Sequence, residues 1–87
     1  MSRKYFERIA DLVLTLSDNG VPCHVEDLYD GYKVTFPWCV GDVIAHSYML
    51  GNYGNNVESM GFPWDGDDVT VLDAMEAIDL ITKYYKA

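Results

Sequence analysis

Basic residues are nearly missing from the body of this 87-residue chain. Arg3, Lys4 and Arg8 open it, Lys83 and Lys86 close it, and only Lys33 lies between. Residues 9–82 carry thirteen acids against that one base, a formal −12 within a whole-chain net of −8. Such a surface repels nucleic acid and anionic lipid and attracts basic protein surfaces. Cysteine is equally sparse. Cys23 and Cys39 do not make a disulfide scaffold, and reduced, half-buried thiols are expected. No apolar run approaches the roughly 18 residues of a membrane span. The first residues, MSRKYFERIADLVLTL, do not read as a signal peptide, because Glu7 and Asp11 interrupt the apolar positions and no small-residue cleavage site follows. A soluble, cytoplasmic protein with no membrane contact is expected.

Chemical signatures are missing too. Cys23, His24, Cys39 and His46 are zinc-ligand types, but their spacing matches no compact zinc pattern, and Cys23 and His24 would point to opposite faces of a strand. A Cys39–His46 nucleophile pair has no third orienting group. The run DGDD, residues 65–68, lacks the alternating ligands and final Glu of a calcium loop. No metal, no cofactor and no enzymatic activity are expected.

What the chain has is apolar and aromatic content: 49% hydrophobic and 14% aromatic residues, enough for one small core and too much for a disordered tail. The whole length, residues 1–87, reads as a single domain. Tyr5, Phe6, Ile9, Leu12, Val13 and Leu16 recur at helical spacing, with Ser2 as a cap and Asp18, Asn19 and Gly20 as stops. A strand is predicted over residues 22–29, followed by a two-residue turn at Asp30-Gly31. A second strand over 32–38 places Tyr32, Val34, Phe36 and Trp38 on one side and Lys33 and Thr35 on the other. A third strand, about 42–50, is apolar on both faces, so either both faces are covered or one is a sticky surface. A fourth follows at about 57–62. Asp73 and Glu76 form a capping box, with Leu72 and Ala77 as its staple, for a last helix running to about residue 85. The expected fold is α+β in two layers: helix, four-stranded antiparallel meander, helix, with both helices on one face.

One pattern occurs twice: FPWCVGDV at 36–43 and FPWDGDDV at 62–69. In a meander the second and fourth strands end at the same edge of the sheet, roughly 10 Å apart. Each proline can terminate pairing there and leave its tryptophan at the rim. Trp38 and Trp64 should therefore be neighbours, ringed by Asp42, Asp65, Asp67 and Asp68. Such a cluster either seals a small core or serves as a recognition edge, since Trp anchors suit tight interfaces. Tyr53, at the tip of the uncharged loop GNYGNN, is a further contact candidate. Reversing Asp65, Asp67 and Asp68 to Lys is expected to leave the fold standing.

Acidity, aromatics and missing chemistry together point to a binding protein that occupies a basic surface of a larger protein, plausibly a nucleic-acid groove. Carboxylates can stand where phosphates would, and indoles and tyrosines can stack on Arg. In size, charge and helix–sheet–helix architecture the whole chain resembles small phage-encoded inhibitors of bacterial defence, including anti-CRISPR proteins. No motif carries that resemblance and no residue role is transferred by it. It implies a nucleic-acid mimic that blocks access to a host nuclease complex. The alternative is a self-associating structural or adaptor domain, a homodimer burying an apolar sheet face.

Overall fold

The structure, a computed structural model, describes residues 3–87. Ser2, the expected cap of the first helix, lies outside the described residues. Helix α1, Arg3–Asp18, turns Tyr5, Ile9, Leu12 and Leu16 into the core. It ends as its sequence dictates: Gly20 adopts φ 79°, its amide donates to the Ser17 carbonyl, and the Val21 amide reaches back to Leu16. This is a Schellman closure, with buried Val21 supplying its apolar contact. Phe6, expected on the core face, is half exposed and packs edge-on to Tyr32.

Five strands follow rather than four: β1 His24–Leu28, β2 Gly31–Thr35, β3 Asp42–Ala45, β4 Asn56–Met60 and β5 Val69–Asp73. All pair antiparallel with their sequence neighbours, in the order β1-β2-β3-β4-β5. The fifth strand replaces the expected loop, because the β-branched run Val69-Thr70-Val71, continued by Leu72, pairs along β4 from Met60↔Val69 to Asn56↔Asp73. The other strands are shorter than expected. β3 stops at Ala45, where the Tyr48 amide donates to His46 Nδ1 and turns the chain out of the sheet. β4 stops at Met60, because Gly61 at φ 84° leads into a 3₁₀ turn at Pro63–Asp65.

The first hairpin turn also differs by one residue. Leu28 pairs with Gly31, so the turn is Tyr29-Asp30, with Tyr29 at φ 56°. Gly31 belongs to β2, and the reason is tertiary: a Cβ there would lie 1.8 Å from the Ala45 carbonyl oxygen of β3.

Helix α2, Ala74–Lys86, is capped by Asp73, whose carboxylate accepts from the Met75 amide at the second helical position. Lys83 and Lys86 in its last turn suit the helix dipole. Ala74, Ala77, Ile78 and Ile81 face the core. There they meet one side of the sheet, represented by Val34, Val43, Val57 and Leu72, together with the α1 stripe. α1 lies against β2 and β3, and α2 against β4 and β5. The α+β class is as expected. No helix among the described residues is long and apolar enough to cross a membrane.

Candidate functional site

The repeated Phe-Pro-Trp segments do meet. Phe36 and Phe62 are buried side by side, with ring centroids 5.7 Å apart. Trp38 lies 5.4 Å from Phe36, and Trp64 stacks on Phe62 at 4.6 Å with planes 5° apart. Tyr84 of α2 stands between the indoles, 5.7 Å from Trp38 and 6.1 Å from Trp64. Tyr85 adds a contact to Trp38 at 4.8 Å.

The hydrogen bonds show what this cluster does. Trp38 Nε1 donates to the Pro22 carbonyl at 2.9 Å, and Trp64 Nε1 donates to Ser59 Oγ at 3.1 Å. Ser59 Oγ donates in turn to Asp65 Oδ1 at 2.7 Å, while the Phe62 amide donates to Asp65 Oδ2 at 3.0 Å. Asp65 is only 7% exposed. Each half-buried indole therefore has its N–H satisfied, Trp38 by the Pro22 carbonyl and Trp64 by Ser59, which Asp65 holds in place, and together they close the end of the core. Gly41, within the first copy, leaves room for the ring of the second: a Cβ there would meet Phe62 at 2.6 Å. The repeat is two halves of one seal.

The other candidate contact residues lie in several places. Asp67 and Asp68 are exposed at the rim, and Asp68 Oδ1 accepts from the Val69 amide as β5 begins. Tyr53 is exposed at the opposite end of the sheet. Asp42 opens β3 with its side chain on the face turned away from the helices. Nor is charge massed at the indoles. Glu7, Asp11 and Asp18 are exposed on α1, Glu26 and Asp27 on β1, and Glu76 and Asp79 on α2.

The face turned away from the helices has a character of its own. In register across it lie Glu26, Lys33, Ile44, Glu58 and Val71, with Asp42 and Met60 paired one step along. The β3–β4 loop folds over its β4–β5 side, where the Leu50 amide donates to Glu58 Oε2 and Gly51 lies against Val71. The β1–β3 side stays open. Leu28, Tyr29, Lys33, Asp42, Ile44, Glu58 and Met60 line a shallow depression there of about 220 Å³.

Asp42 sits in this depression at an electrostatic disadvantage. Burial pushes its carboxyl up, Lys33 opposes that, and Asp65, Glu58 and Glu26 push it further. Because its folded value lies above the unfolded one, ionising Asp42 costs stability. The neutral carboxyl carries no such cost below the unfolded carboxylate range, and the cost sets in as pH rises through the folded value. Asp42→Asn should therefore raise the melting temperature at neutral pH and change it little near pH 3, a difference that thermal denaturation at the two pH values measures.

The depression runs into an aromatic group that sequence reasoning missed. Tyr29 and Tyr48 are 73% and 77% exposed, with centroids 5.3 Å apart and nearly perpendicular planes. Both lean on buried His46, at 5.2 and 6.0 Å. Asp30 accepts from the Ser47 amide, which ties the two turns together; this bond is the main cause holding the Asp30 carboxyl below its ordinary range. Tyr29 occupies the left-handed region, at a backbone cost of about 1–2 kcal/mol for a bulky residue. A strained turn that displays a tyrosine is the kind of feature that clusters at functional sites. The apolar Ile44 on the second face of the third strand was the available signal.

Elsewhere, Arg8 is buried across the Tyr5 ring and donates to the Asn56 carbonyl at 2.6 Å, pinning the β3–β4 loop to α1. Burial lowers its affinity for the proton. Cys23 and Cys39 are free, half-buried thiols, and burial pushes both up, away from the reactive thiolate. Among the described residues no group of three or more His, Cys, Asp or Glu side chains is placed to hold a metal ion.

Compared with protein-family models, with curated proteins and with solved structures, the chain gave no match to any of them.

Proposed function

We propose that this chain is a non-catalytic binding domain that occupies a basic surface of a larger protein, through the open β1–β3 face and its tyrosine end. The observation that carries this reading is Tyr29, held exposed in a strained conformation at the border of a depression that contains Asp42 and Ile44. An arginine is the side chain such a surface suits. Its guanidinium can pair with a carboxylate while its plane stacks on a tyrosine ring, and Ile44 and Met60 offer an apolar floor to its stem. The spread of carboxylates over both helices adds long-range attraction and keeps nucleic acid and anionic membranes away.

A basic surface of this kind is commonly one that holds nucleic acid. The likeness in size and charge to phage-encoded inhibitors of bacterial defence would make the partner a host nuclease complex, and the host cytoplasm the place of action. A second copy of the chain is the poorer occupant, because an isologous contact through this face would bring together two sets of the acids Glu26, Asp42 and Glu58 with only one Lys33 from each copy to offset them.

Titration of the labelled protein with an octa-arginine peptide tests the reading. Saturable binding that weakens steeply with added salt supports it. Binding that survives high salt, or self-association without peptide, would favour the apolar homodimer instead.

A further inference from the structure

Among the described residues β1 is one of the two edge strands of the sheet, and His24, Val25, Glu26 and Asp27 are all exposed. α1 lies over β2 and β3, and beside it runs a groove of about 280 Å³ lined entirely by apolar and aromatic side chains. Phe6, Ile9, Val13 and Leu14 of α1 form one wall, and Val25 and Tyr32 form the floor. Leu14 is 63% exposed and Phe6 54%, which is unusual for large apolar residues on a helix that otherwise buries its stripe. An unpaired strand edge, an apolar slot on its helix side and two adjacent carboxylates thus lie together.

We infer that this edge takes an extended segment of a basic partner, added antiparallel as a sixth strand. The inference rests on the reading of the domain as a binder of basic protein and names a second, separate point of contact. Strand addition draws affinity from main-chain hydrogen bonds and specificity from alternate side chains. Alternation fixes what the segment carries. The residue opposite Val25 falls on the helix side and enters the groove, so it is large and apolar. The residue opposite Glu26 falls on the open face and is basic. The residue opposite Asp27 returns to the helix side beside an exposed carboxylate and is basic as well. Read from its N-terminus, the incoming chain therefore carries two basic residues followed by a large apolar one.

Charge excludes the obvious competitor. Pairing β1 with a second copy along all five residues sets Glu26 opposite Glu26, and like charges facing across a ladder are destabilising.

Three synthetic nonapeptides test the inference: one with Arg-Arg-Leu at its centre, one with the same composition in the order Leu-Arg-Arg, and one with Glu-Glu-Leu. Titrated into the isotope-labelled protein, the first should shift the amides of Val25, Glu26 and Asp27 and the methyls of Leu14, and slow amide exchange along β1. The reordered peptide should bind roughly tenfold more weakly, and the acidic one not measurably. Leu14→Lys, an exposed change that keeps helix propensity, should weaken the first peptide by about tenfold with the melting temperature unchanged. Equal binding of both arginine peptides, or shifts at Asp42, Ile44 and Met60 without change at β1, would overturn the edge site while leaving the open-face reading intact. Absence of binding at either place would overturn both, and dimerisation through β1 would overturn the choice of occupant.

Discussion

Asp65→Lys is expected to unfold the domain, whereas Asp67→Lys combined with Asp68→Lys should leave its melting temperature within a few degrees. The three aspartates are neighbours in sequence and opposites in role. Asp65 is buried and accepts from Ser59 Oγ and the Phe62 amide, which in turn holds the Trp64 bond to Ser59 in place. Lysine removes both acceptors and puts an ammonium where the Ser59 hydroxyl and the Phe62 amide donate. Orphaning those donors and burying an unpaired charge costs roughly 4 kcal/mol or more. A domain this small holds about 5 kcal/mol in total, so little folded protein should remain. Asp67 and Asp68 are exposed, and the Asp68 bond to the Val69 amide is a solvent-facing contact. Thermal denaturation followed by circular dichroism separates the two variants. A folded Asp65→Lys protein would remove the account of the repeated segments as a seal. The burial and bonding of Asp65 argue against the expectation that all three residues can be reversed together without loss of the fold.

Tyr29→Gly should weaken binding of a basic partner at least roughly tenfold without weakening the fold. Glycine adopts φ 56° at no steric cost, which relieves about 1–2 kcal/mol of left-handed strain. Against that stand the extra freedom glycine has when unfolded and the lost edge-on contacts to His46 and Tyr48. These terms nearly cancel, so the melting temperature stays within a few degrees. The ring that would stack on a guanidinium is gone, and affinity should fall at least roughly tenfold. Tyr29→Ala is the less informative change, because it keeps the strain while removing the ring. A clear stability loss in Tyr29→Gly with unchanged affinity would make the tyrosine a structural residue and move the contact surface elsewhere.

The parts of the fold that sequence alone conveyed are those decided locally. The α1 stripe and its exit depend on residues within one or two turns of each other, so the left-handed stop at Gly20 could be read directly. The convergence of the two Phe-Pro-Trp segments at one end of the sheet was also legible, since alternation along β2 and a proline after each phenylalanine constrain where the chain leaves the sheet. What was hidden depends on contacts far along the chain. Asp30-Gly31 is a strong turn pair by local rules, but Gly31 is required by the Ala45 carbonyl of the neighbouring strand. The register therefore moves by one and puts Tyr29 at the tip. β5 was concealed because Asp73 caps α2 so clearly that the preceding Val-Thr-Val-Leu run looked like its approach. Asp65 read as one more surface acid, because nothing local reveals that Ser59 and the Phe62 amide turn toward it. The candidate surface was least legible of all. It joins β1, β2 and β3 on the face that the helices leave open, and only Ile44 on the second face of β3 hinted at it.

The most direct measurement is the location of the amide and methyl shifts when octa-arginine is titrated into the isotope-labelled protein at low salt. The account predicts that the shifts map to Tyr29, Lys33, Asp42, Ile44, Tyr48 and Met60. Shifts confined to Trp38, Trp64, Asp67 and Asp68, or scattered over both helices in proportion to their acids, would contradict it.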